Sequence, residues 1–420
     1  MDVELLYGRG TIKVDLPRGV RPTIIEKHAM TPLDDPRGAI EQALDGLEIE
    51  AIGKRSACIL VCDITRPVPN HLFLQPLIRR LLKGGVPADR ITVLVATGLH
   101  RPNEGDELAE LIGDPWVFET VTVANHFAER AEDHVDLGFT AKRRVPVKLD
   151  RRLVEADLKI STGLVEPHFM AGYSGGRKVI APGVAHEDTI RTFHSSRFMA
   201  DPLARNCNLE GNPLHEEQLA IVDLLGGALA LNTVLDDKRR LAFVNFGEIK
   251  ASHAEAVAFM RGYAEVRVPR RFKVVVTSSA GHPLDKTYYQ TVKGMVGPLE
   301  ILEPGGDLII ASACSEGLGS RHFAMAQKRL SELGPEGFWR SIEHKPFADI
   351  DEWQTQMQTK AMNAGRVRLV TDGLSPEELE IVAVEHSPSL EAALAQSLTD
   401  QRTDEVAIVP EGPYVVPVHG

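Results

Sequence analysis

One stretch decides the fold: residues 58–98, which read CILVCDITRPVPNHLFLQPLIRRLLKGGVPADRITVLVATG. Its two ends, 58–64 and 91–98, are apolar runs of strand length. Residues 70–85 between them have apolar side chains at helical spacing and predict a helix with Asn70 as its N-cap. The helical stripe consists of Leu74, Leu77, Ile78 and Leu81. This order favours two parallel strands joined by a helix.

The same alternation continues along the chain and predicts an α/β protein, with two α/β domains built on mainly parallel sheets. A helix over 248–263 is followed by AEVRVPRRF, residues 264–272, whose proline and arginines indicate a linker. We therefore predict an N-terminal domain over 1–268 and a C-terminal domain over 269–420. The remaining predicted strands are 157–163, 272–279, 307–313 and 366–372.

Composition excludes several classes of protein. The 420 residues include 47 Lys and Arg against 59 Asp and Glu, a net charge of −12, which argues against general nucleic-acid binding. We find neither a signal-peptide pattern nor an apolar run long enough for a membrane span, so we expect a cytoplasmic protein without a membrane partner. Four scattered cysteines do not indicate a disulfide framework, and Cys58 and Cys62 are predicted core residues.

Polar clusters follow three of the predicted strands, where ligands bind in sheets of this kind. Asp63 and Arg66 come after the first, His100 after the second, and His168 and Lys178 flank a glycine-rich turn after the third. Taken singly these residues stay ambiguous. Asp63 and Arg66 could form a local ion pair, His100 could be an ordinary loop histidine, and the glycines could serve only a tight turn, since they fit no nucleotide-binding spacing.

Two predicted helices add further candidates. Residues 186–196 form a short helix with acidic residues in its first turn, and we expect it to expose His194. Residues 285–295 form another, on which Gln290 and Lys293 share a face. An amide beside an ammonium could hold a carboxylate or a keto acid, although a solvated helix face would have the same pattern.

Together these residues resemble the nickel-dependent lactate racemase family. The resemblance rests on His100 after TGL, on EPHFMAGYSGGRK ending in Lys178, on His194 sixteen residues later, and on Gln290 with Lys293. It extends over nearly the whole chain and includes the DITRP turn at residues 63–67. The resemblance implies an isomerase that racemises or epimerises lactate or a related 2-hydroxy acid.

The resemblance also implies a cofactor and a role for each candidate residue. The cofactor would be a nickel-pincer nucleotide, a pyridinium mononucleotide with two sulfur-containing arms, bound covalently to Lys178, with His194 as the protein ligand to nickel. The DITR turn would contact the nucleotide, the paired acid/base residues would be His100 and His168, and the substrate would be held by Arg66, Gln290 and Lys293. The turn consists of Asp63, Ile64, Thr65 and Arg66.

Such residues suit a reaction by reversible hydride transfer. One histidine would take the hydroxyl proton while the α-hydrogen leaves as hydride, and the resulting 2-keto acid would regain both on the opposite face. The resemblance implies an active site in the cleft between the two domains, which closes over the substrate. The expected partners are a small 2-hydroxy acid and the enzymes that build the cofactor.

Three other interpretations stay open at this point. A zinc or nickel hydrolase could use His100, His168 and His194 as a three-histidine site. A non-catalytic cofactor carrier would need Lys178 and His194 but not the two base histidines. A Schiff-base enzyme could use Lys178 directly.

Overall fold

The computed structural model describes residues 3–420 and divides the chain into two compact units. We call them the first unit and the second unit. The first unit consists of residues 29–193 and 208–262. The second unit consists of the residues up to His28, of 194–207 and of 263–420. The domain boundary between residues 268 and 269 stays a prediction.

The first unit contains a six-stranded sheet in which five neighbouring strands are parallel and one edge strand, Leu241–Glu248, is antiparallel. The strands predicted in this unit over 58–64, 91–98 and 157–163 are confirmed to within two residues at each end. In spatial order the strands are Leu241–Glu248, Leu229–Leu235, Leu158–Leu164, Ala57–Cys62, Ile91–Ala96 and Thr122–Asn125. Two antiparallel ladders lie beside the sheet, formed by His134–Phe139 with Pro146–Asp150 and by Pro167–His168 with Gly172–Tyr173.

The predicted helix after the first strand is present as Asn70–Lys83, and its apolar stripe is buried. The expectation that Asn70 is the N-cap is wrong. Pro69 occupies the cap position, and the buried amide of Asn70 instead donates a 2.9 Å hydrogen bond to the carbonyl of Leu111. The other helices of this unit are Pro36–Ala43, Leu47–Glu50, Gly105–Ile112, Pro115–Thr120, Arg151–Val154, Arg177–Ile180, Glu187–Phe193, Pro213–Leu225 and Ile249–Ala264.

The second unit contains a six-stranded sheet whose strands are all parallel, as expected for repeated strand–helix–strand alternation. In spatial order the strands are Glu385–Ser387, Gly365–Val370, Leu302–Ala311, Phe272–Ser278, Glu405–Val409 and Arg21–Ile24. The helices are Ser196–Met199, Tyr288–Val296, Arg321–Ile342, Glu352–Ala364, Pro376–Ile381 and Leu390–Gln401. An antiparallel pair, Val3–Tyr7 with Gly10–Val14, precedes the edge strand.

The prediction that residues 264–272 form an irregular linker is wrong. Residues Glu265–Val268 form a strand that pairs in parallel with Val416–His419. Charged side chains on the strand do not prevent this pairing, because the ladder uses backbone groups and every second residue, Val266 and Val268, is β-branched.

Each unit has its own apolar core. In the first unit the stripe of helix Asn70–Lys83 packs against aliphatic side chains of the central strands. In the second unit the central strands pack against the helix Leu390–Gln401. In the described part of the chain, no helix combines the length and the apolar character needed to cross a membrane.

Candidate active site

Three loops meet at one edge of the sheet in the first unit. They follow the neighbouring parallel strands Leu158–Leu164, Ala57–Cys62 and Ile91–Ala96, whose carboxyl ends lie at the same edge. Direct contacts join the loops: the amide of Ile64 donates to Oδ1 of Asn103 at 3.3 Å. The polar residues that follow these strands in the sequence therefore also lie close together in the structure.

Asp63 and His100 form the closest polar contact between these loops. Oδ2 of Asp63 lies 2.5 Å from Nδ1 of His100, while Oδ1 accepts from the hydroxyl of Thr65 at 2.5 Å. A carboxylate only accepts hydrogen bonds, so the proton of neutral His100 lies on Nδ1 and its Nε2 keeps a lone pair. The carboxylate is buried, whereas the imidazole side chain is 58% exposed. His100 is therefore a fixed and accessible base.

The electrostatics of Asp63 favour its charged form. Burial raises the pKa of this carboxyl, but the hydrogen bond and charge of His100, the hydroxyl of Thr65 and the charge of Arg66 outweigh it, and the pKa lies below the usual aspartate value. A carboxylate ionised at neutral pH stabilises the imidazolium that forms when His100 takes up a proton.

His168 lies in a different environment. It pairs with Gly172 in a short ladder, and its half-buried ring accepts two backbone hydrogen bonds at Nδ1, from the amides of Met170 at 3.3 Å and Ala171 at 3.1 Å. Nδ1 therefore carries no proton, and neutral His168 presents Nε2–H. An imidazolium at this position would place an N–H group against two N–H donors, so these contacts disfavour the charged form.

Arg66 is held between two of the loops. Its Nε lies 3.8 Å from Oε1 of Glu166, and its Nη1 donates to the carbonyl of Thr65 at 3.3 Å. The sequence left open a local ion pair between Asp63 and Arg66. In the structure the close partners differ: His100 for Asp63 and Glu166 for Arg66.

Lys178 belongs to the short helix Arg177–Ile180, which begins directly after Gly175 and Gly176. Both glycines have positive φ, and a Cβ on Gly175 would lie 2.7 Å from a methyl group of Val165. The glycine-rich turn thus returns the chain tightly against the strand end. It fixes where Lys178 leaves the backbone.

The amine of Lys178 has unusual electrostatics. Burial, together with the positive charges of Arg66 and Arg177, lowers its pKa to about 7. In the described residues, its side chain makes no hydrogen bond or ion pair. An unpaired, partly buried amine that is half deprotonated near neutral pH is a nucleophile, and such lysines are often functional.

The second unit contains His194, Gln290 and Lys293. His194 follows helix Glu187–Phe193 and is buried, so the expectation that it is exposed is wrong; its ring packs against the indole of Trp353 at a centroid distance of 4.9 Å. Gln290 and Lys293 both lie on helix Tyr288–Val296, as predicted. Oε1 of Gln290 is buried without a hydrogen-bond partner, which marks it as available to a ligand.

Sequence reasoning missed three contributors to the first unit's site. Asn103 joins two loops, Glu166 pairs with Arg66, and Arg177 is fully buried beside Lys178. Glu166 and Arg177 lie inside the stretch EPHFMAGYSGGRK, so their proximity to His168 and Lys178 in sequence was an available signal. Asn103 gave none, because its role depends on a contact between separate loops.

A metal site made of protein side chains alone finds no support. Within residues 3–420, no group of three or more His, Cys, Asp or Glu side chains is arranged to hold a metal ion. The three-histidine hydrolase therefore lacks the ligand set that it requires.

Comparisons with known proteins agree with this architecture. The family model described as lactate racemase N-terminal domain matches residues 7–206, and the one described as lactate racemase C-terminal domain matches residues 269–417. Two curated relatives are named lactate racemase. The one from Thermoanaerobacterium thermosaccharolyticum is 29% identical over 99% of both chains, and the one from Lactiplantibacillus plantarum is 29% identical over 91% of this chain and 89% of its own.

Solved structures extend the likeness to the fold. The lactate racemase apoprotein from T. thermosaccharolyticum superposes with a TM-score of 0.90 at 28% identity, covering 99% of this chain and 100% of its own. A protein from Thermotoga maritima gives a TM-score of 0.69 at 19% identity, covering 94% of this chain and 100% of its own, and shares the fold alone. The prediction of a two-domain α/β protein with mainly parallel sheets is thereby confirmed.

Proposed function

The chain belongs to the lactate racemase family and is an isomerase; from that premise we propose that it racemises or epimerises a 2-hydroxy carboxylate, lactate or a close relative, with a nickel-pincer nucleotide carried on Lys178. The observation that carries the proposal is the edge of the first unit's sheet. There a carboxylate-bound histidine and a lysine of lowered pKa lie on two of the three loops at this edge, in a chain of this family.

The residues present fit the proposed cofactor. Covalent attachment through nitrogen needs an unprotonated amine, and Lys178 has no side-chain partner in the described structure and a pKa of about 7. Imidazole is a suitable nickel ligand, and His194 is the proposed one. Asp63, Ile64, Thr65 and Arg66 are proposed to contact the nucleotide. When bound, the cofactor would supply the acceptor for the α-hydrogen of the substrate as hydride.

His100 is proposed to move the hydroxyl proton on one side of the substrate. Its Nε2 lone pair accepts that proton, and the buried carboxylate of Asp63 stabilises the charge on the ring and fixes its orientation. His100 is thus a base whose other ring nitrogen is hydrogen-bonded to a carboxylate that orients it. Loss of the proton strengthens the carbonyl character of the substrate oxygen, which favours departure of the α-hydrogen.

His168 is proposed to serve the other side. Because the amides of Met170 and Ala171 donate to Nδ1, the neutral ring carries its proton on Nε2 and presents that N–H group as a hydrogen-bond donor to a substrate oxygen. That property suits a donor to the carbonyl oxygen of a 2-keto acid. To accept the hydroxyl proton of the other enantiomer at Nε2, His168 would first have to carry its own proton on Nδ1, at the cost of the two backbone hydrogen bonds.

The substrate carboxylate is proposed to meet Arg66, Gln290 and Lys293. Arg66 is held in place by Glu166, so its guanidinium can orient an anion without losing its own position. Gln290 has an unpartnered oxygen that can accept from a hydroxyl group. A cytoplasmic location and the need for cofactor-building enzymes remain predictions.

The proposed activity is tested by chiral chromatography of single enantiomers of lactate and of larger 2-hydroxy acids. The chain should be made together with cofactor-building enzymes, with Lys178→Arg as the matched control. We expect racemisation by the native chain and none by the variant, because arginine keeps the positive charge but does not form the tether. Equal activity in both would contradict a lysine-bound cofactor.

A further inference from the structure

Arg177 is the largest fully buried side chain of the described residues. Its guanidinium lies under the glycine-rich turn, where Nη2 donates to the carbonyl of Ala171 at 2.9 Å. Two helices supply its other close partners. Nε donates to Nδ1 of His215 at 2.9 Å. Nη1 lies 2.9 Å from Nε2 of His253, and the same Nε2 lies 2.8 Å from the carbonyl oxygen of Ser174, to which it can only donate.

Among the described residues, every one of these partners is neutral. Burial and the charge of Arg177 lower the pKa of His215 to about 3 and that of His253 well below its usual value, so neither ring adds a proton near neutral pH. Buried arginines are ordinarily matched by carboxylates. Arg368 in the second unit is an example, with Asp307 at 3.3 Å and Asp400 at 2.8 Å. Arg177 thus keeps an uncompensated charge.

The backbone is shaped to admit this arrangement. Gly176 has a φ of +48°, and a Cβ at that position would lie 2.8 and 2.9 Å from the ring atoms Cδ2 and Cγ of His253. Any larger residue would push the ring away from the guanidinium. The turn therefore does more than reverse the chain, because it lets a helix from elsewhere in the unit reach Arg177.

Lys178 is the next residue and faces groups from two further loops. Arg66 follows strand Ala57–Cys62, and Glu166 follows strand Leu158–Leu164. The thiol of Cys62 also faces it, but burial raises the pKa of that thiol to about 11, so it is neutral at pH 7. Arg66 has Glu166 as a counter-charge, whereas Arg177 has none.

We propose that Arg177, which donates to the neutral ring of His215 and to the backbone carbonyl of Ala171, is a positioning residue that holds Lys178 as a free amine ready for acylation. Neutral acceptors satisfy the hydrogen bonds of a guanidinium without cancelling its charge, so an ammonium beside it is repelled. A carboxylate in the same place would cancel the charge and let Lys178 keep its proton. The statement that this free amine receives the cofactor rests on the proposed function, whereas the reactivity of the amine does not.

The test is the acetylation of Lys178 by acetic anhydride between pH 5.5 and 9.5, on chain made without cofactor-building enzymes and read by peptide mass spectrometry. In this reaction the amine nitrogen bonds to the acetyl carbon, acetate leaves, and the amine proton passes to water. Only the free amine reacts, so the midpoint of the rate against pH reports its protonation. We expect a midpoint near pH 7 for the native chain.

The decisive comparison is His215→Asn against His215→Asp. Both place an oxygen where Nδ1 accepts from Arg177, and they have the same shape, so only the added charge differs. We expect His215→Asn to keep the native midpoint and His215→Asp to raise it by about one pH unit. If His215→Asp does not fold, His253→Gln and His253→Glu provide a second neutral and acidic pair beside the guanidinium, because Nε2 of His253 lies 2.9 Å from Nη1 of Arg177.

Equal midpoints in the neutral and acidic variants would overturn the proposal, because burial alone would then account for the free amine. Equal upward shifts in both would also overturn it, since a disturbed structure would be the cause. The outcome is separable from the proposed function. If the midpoints are as predicted but no adduct forms when cofactor-building enzymes are present, the role of Arg177 is supported and the covalent attachment of the cofactor to Lys178 is contradicted.

Discussion

The two histidines proposed as proton carriers are held in opposite ways. His100 donates from Nδ1 to a buried carboxylate and leaves its Nε2 lone pair exposed, whereas His168 accepts two backbone amides at Nδ1 and carries its proton on Nε2. The first environment stabilises an imidazolium and the second opposes one. Two residues of the same type, on two of the three loops at this edge of the sheet, therefore have opposite hydrogen-bonding environments.

The difference teaches that the role of a histidine is set by what binds its other nitrogen. For His100 that partner is Asp63, which the sequence resemblance associates with the nucleotide. In the structure the carboxylate of Asp63 is hydrogen-bonded to His100, so under the proposed function Asp63 would also hold the base in place.

The largest effect is expected from removing either ring. His100→Ala and His168→Ala should each lower the racemisation rate by about 10³-fold, the usual contribution of a positioned acid or base. They should differ in what remains. Each variant keeps one proton carrier, so acid quenching should release 2-keto acid from one enantiomer of the substrate only, and from opposite enantiomers in the two variants.

Loading of the cofactor should be measured in both alanine variants by intact mass, so that loss of activity is not confused with loss of the adduct. Release of 2-keto acid from the same enantiomer by both variants would show that the two rings act on one side of the substrate.

A smaller effect is expected at the partner of His100. Asp63→Asn should lower the rate by about 10² while leaving the adduct in place, because an amide neither fixes the Nδ1–H tautomer nor stabilises the imidazolium. Steady-state rates together with intact mass check this. Thr65→Ala is the matched control, since it removes one hydrogen bond to the same carboxylate and should cost only a few-fold. An Asp63→Asn chain without adduct would instead assign Asp63 to cofactor binding.

The smallest effect is one on stability. His100→Leu should lower the free energy of unfolding at pH 7 by about 2 kcal/mol, because it leaves the buried carboxylate of Asp63 without its main partner. In the native chain the pKa of Asp63 is lowered. The charge of Asp63 therefore stabilises the fold at pH values above the usual aspartate pKa, and this stabilisation is lost as the pH falls through the lowered pKa of the folded state.

With the imidazole gone, burial should raise the pKa of Asp63, and the cost of His100→Leu should shrink as pH falls towards 4. Denaturant unfolding at several pH values measures this. The double variant Asp63→Asn with His100→Leu removes the charge and should show little further loss relative to Asp63→Asn alone. A cost of His100→Leu that does not change with pH would contradict the pairing.

Much of the fold could be predicted from local patterns. Strand Ala57–Cys62 and helix Asn70–Lys83 follow from the period of their apolar residues, which is a property of the chain itself. The predictions that were wrong concern residues whose conformation is set by contacts with distant parts of the chain. Asn70 leaves the cap position to bind Leu111, and residues 265–268 form a strand because Val416–His419 is available to pair with it.

The site divides in the same way. Strand ends located the candidate loops, because parallel strands bring their carboxyl ends to one edge. The partner of each side chain depends on contacts across the fold: His100 with Asp63, Arg66 with Glu166, and the burial of His194 against Trp353. Residue types are visible in a sequence, but the hydrogen bonds that select their protonation states are not.

The most direct test of the central claim is intact and peptide mass spectrometry with nickel analysis, on chain made together with cofactor-building enzymes. We expect one adduct per chain, located on Lys178, with one equivalent of nickel that is lost in Lys178→Arg. Nickel bound at full occupancy by Lys178→Arg, or an active native chain without an adduct on Lys178, would contradict it.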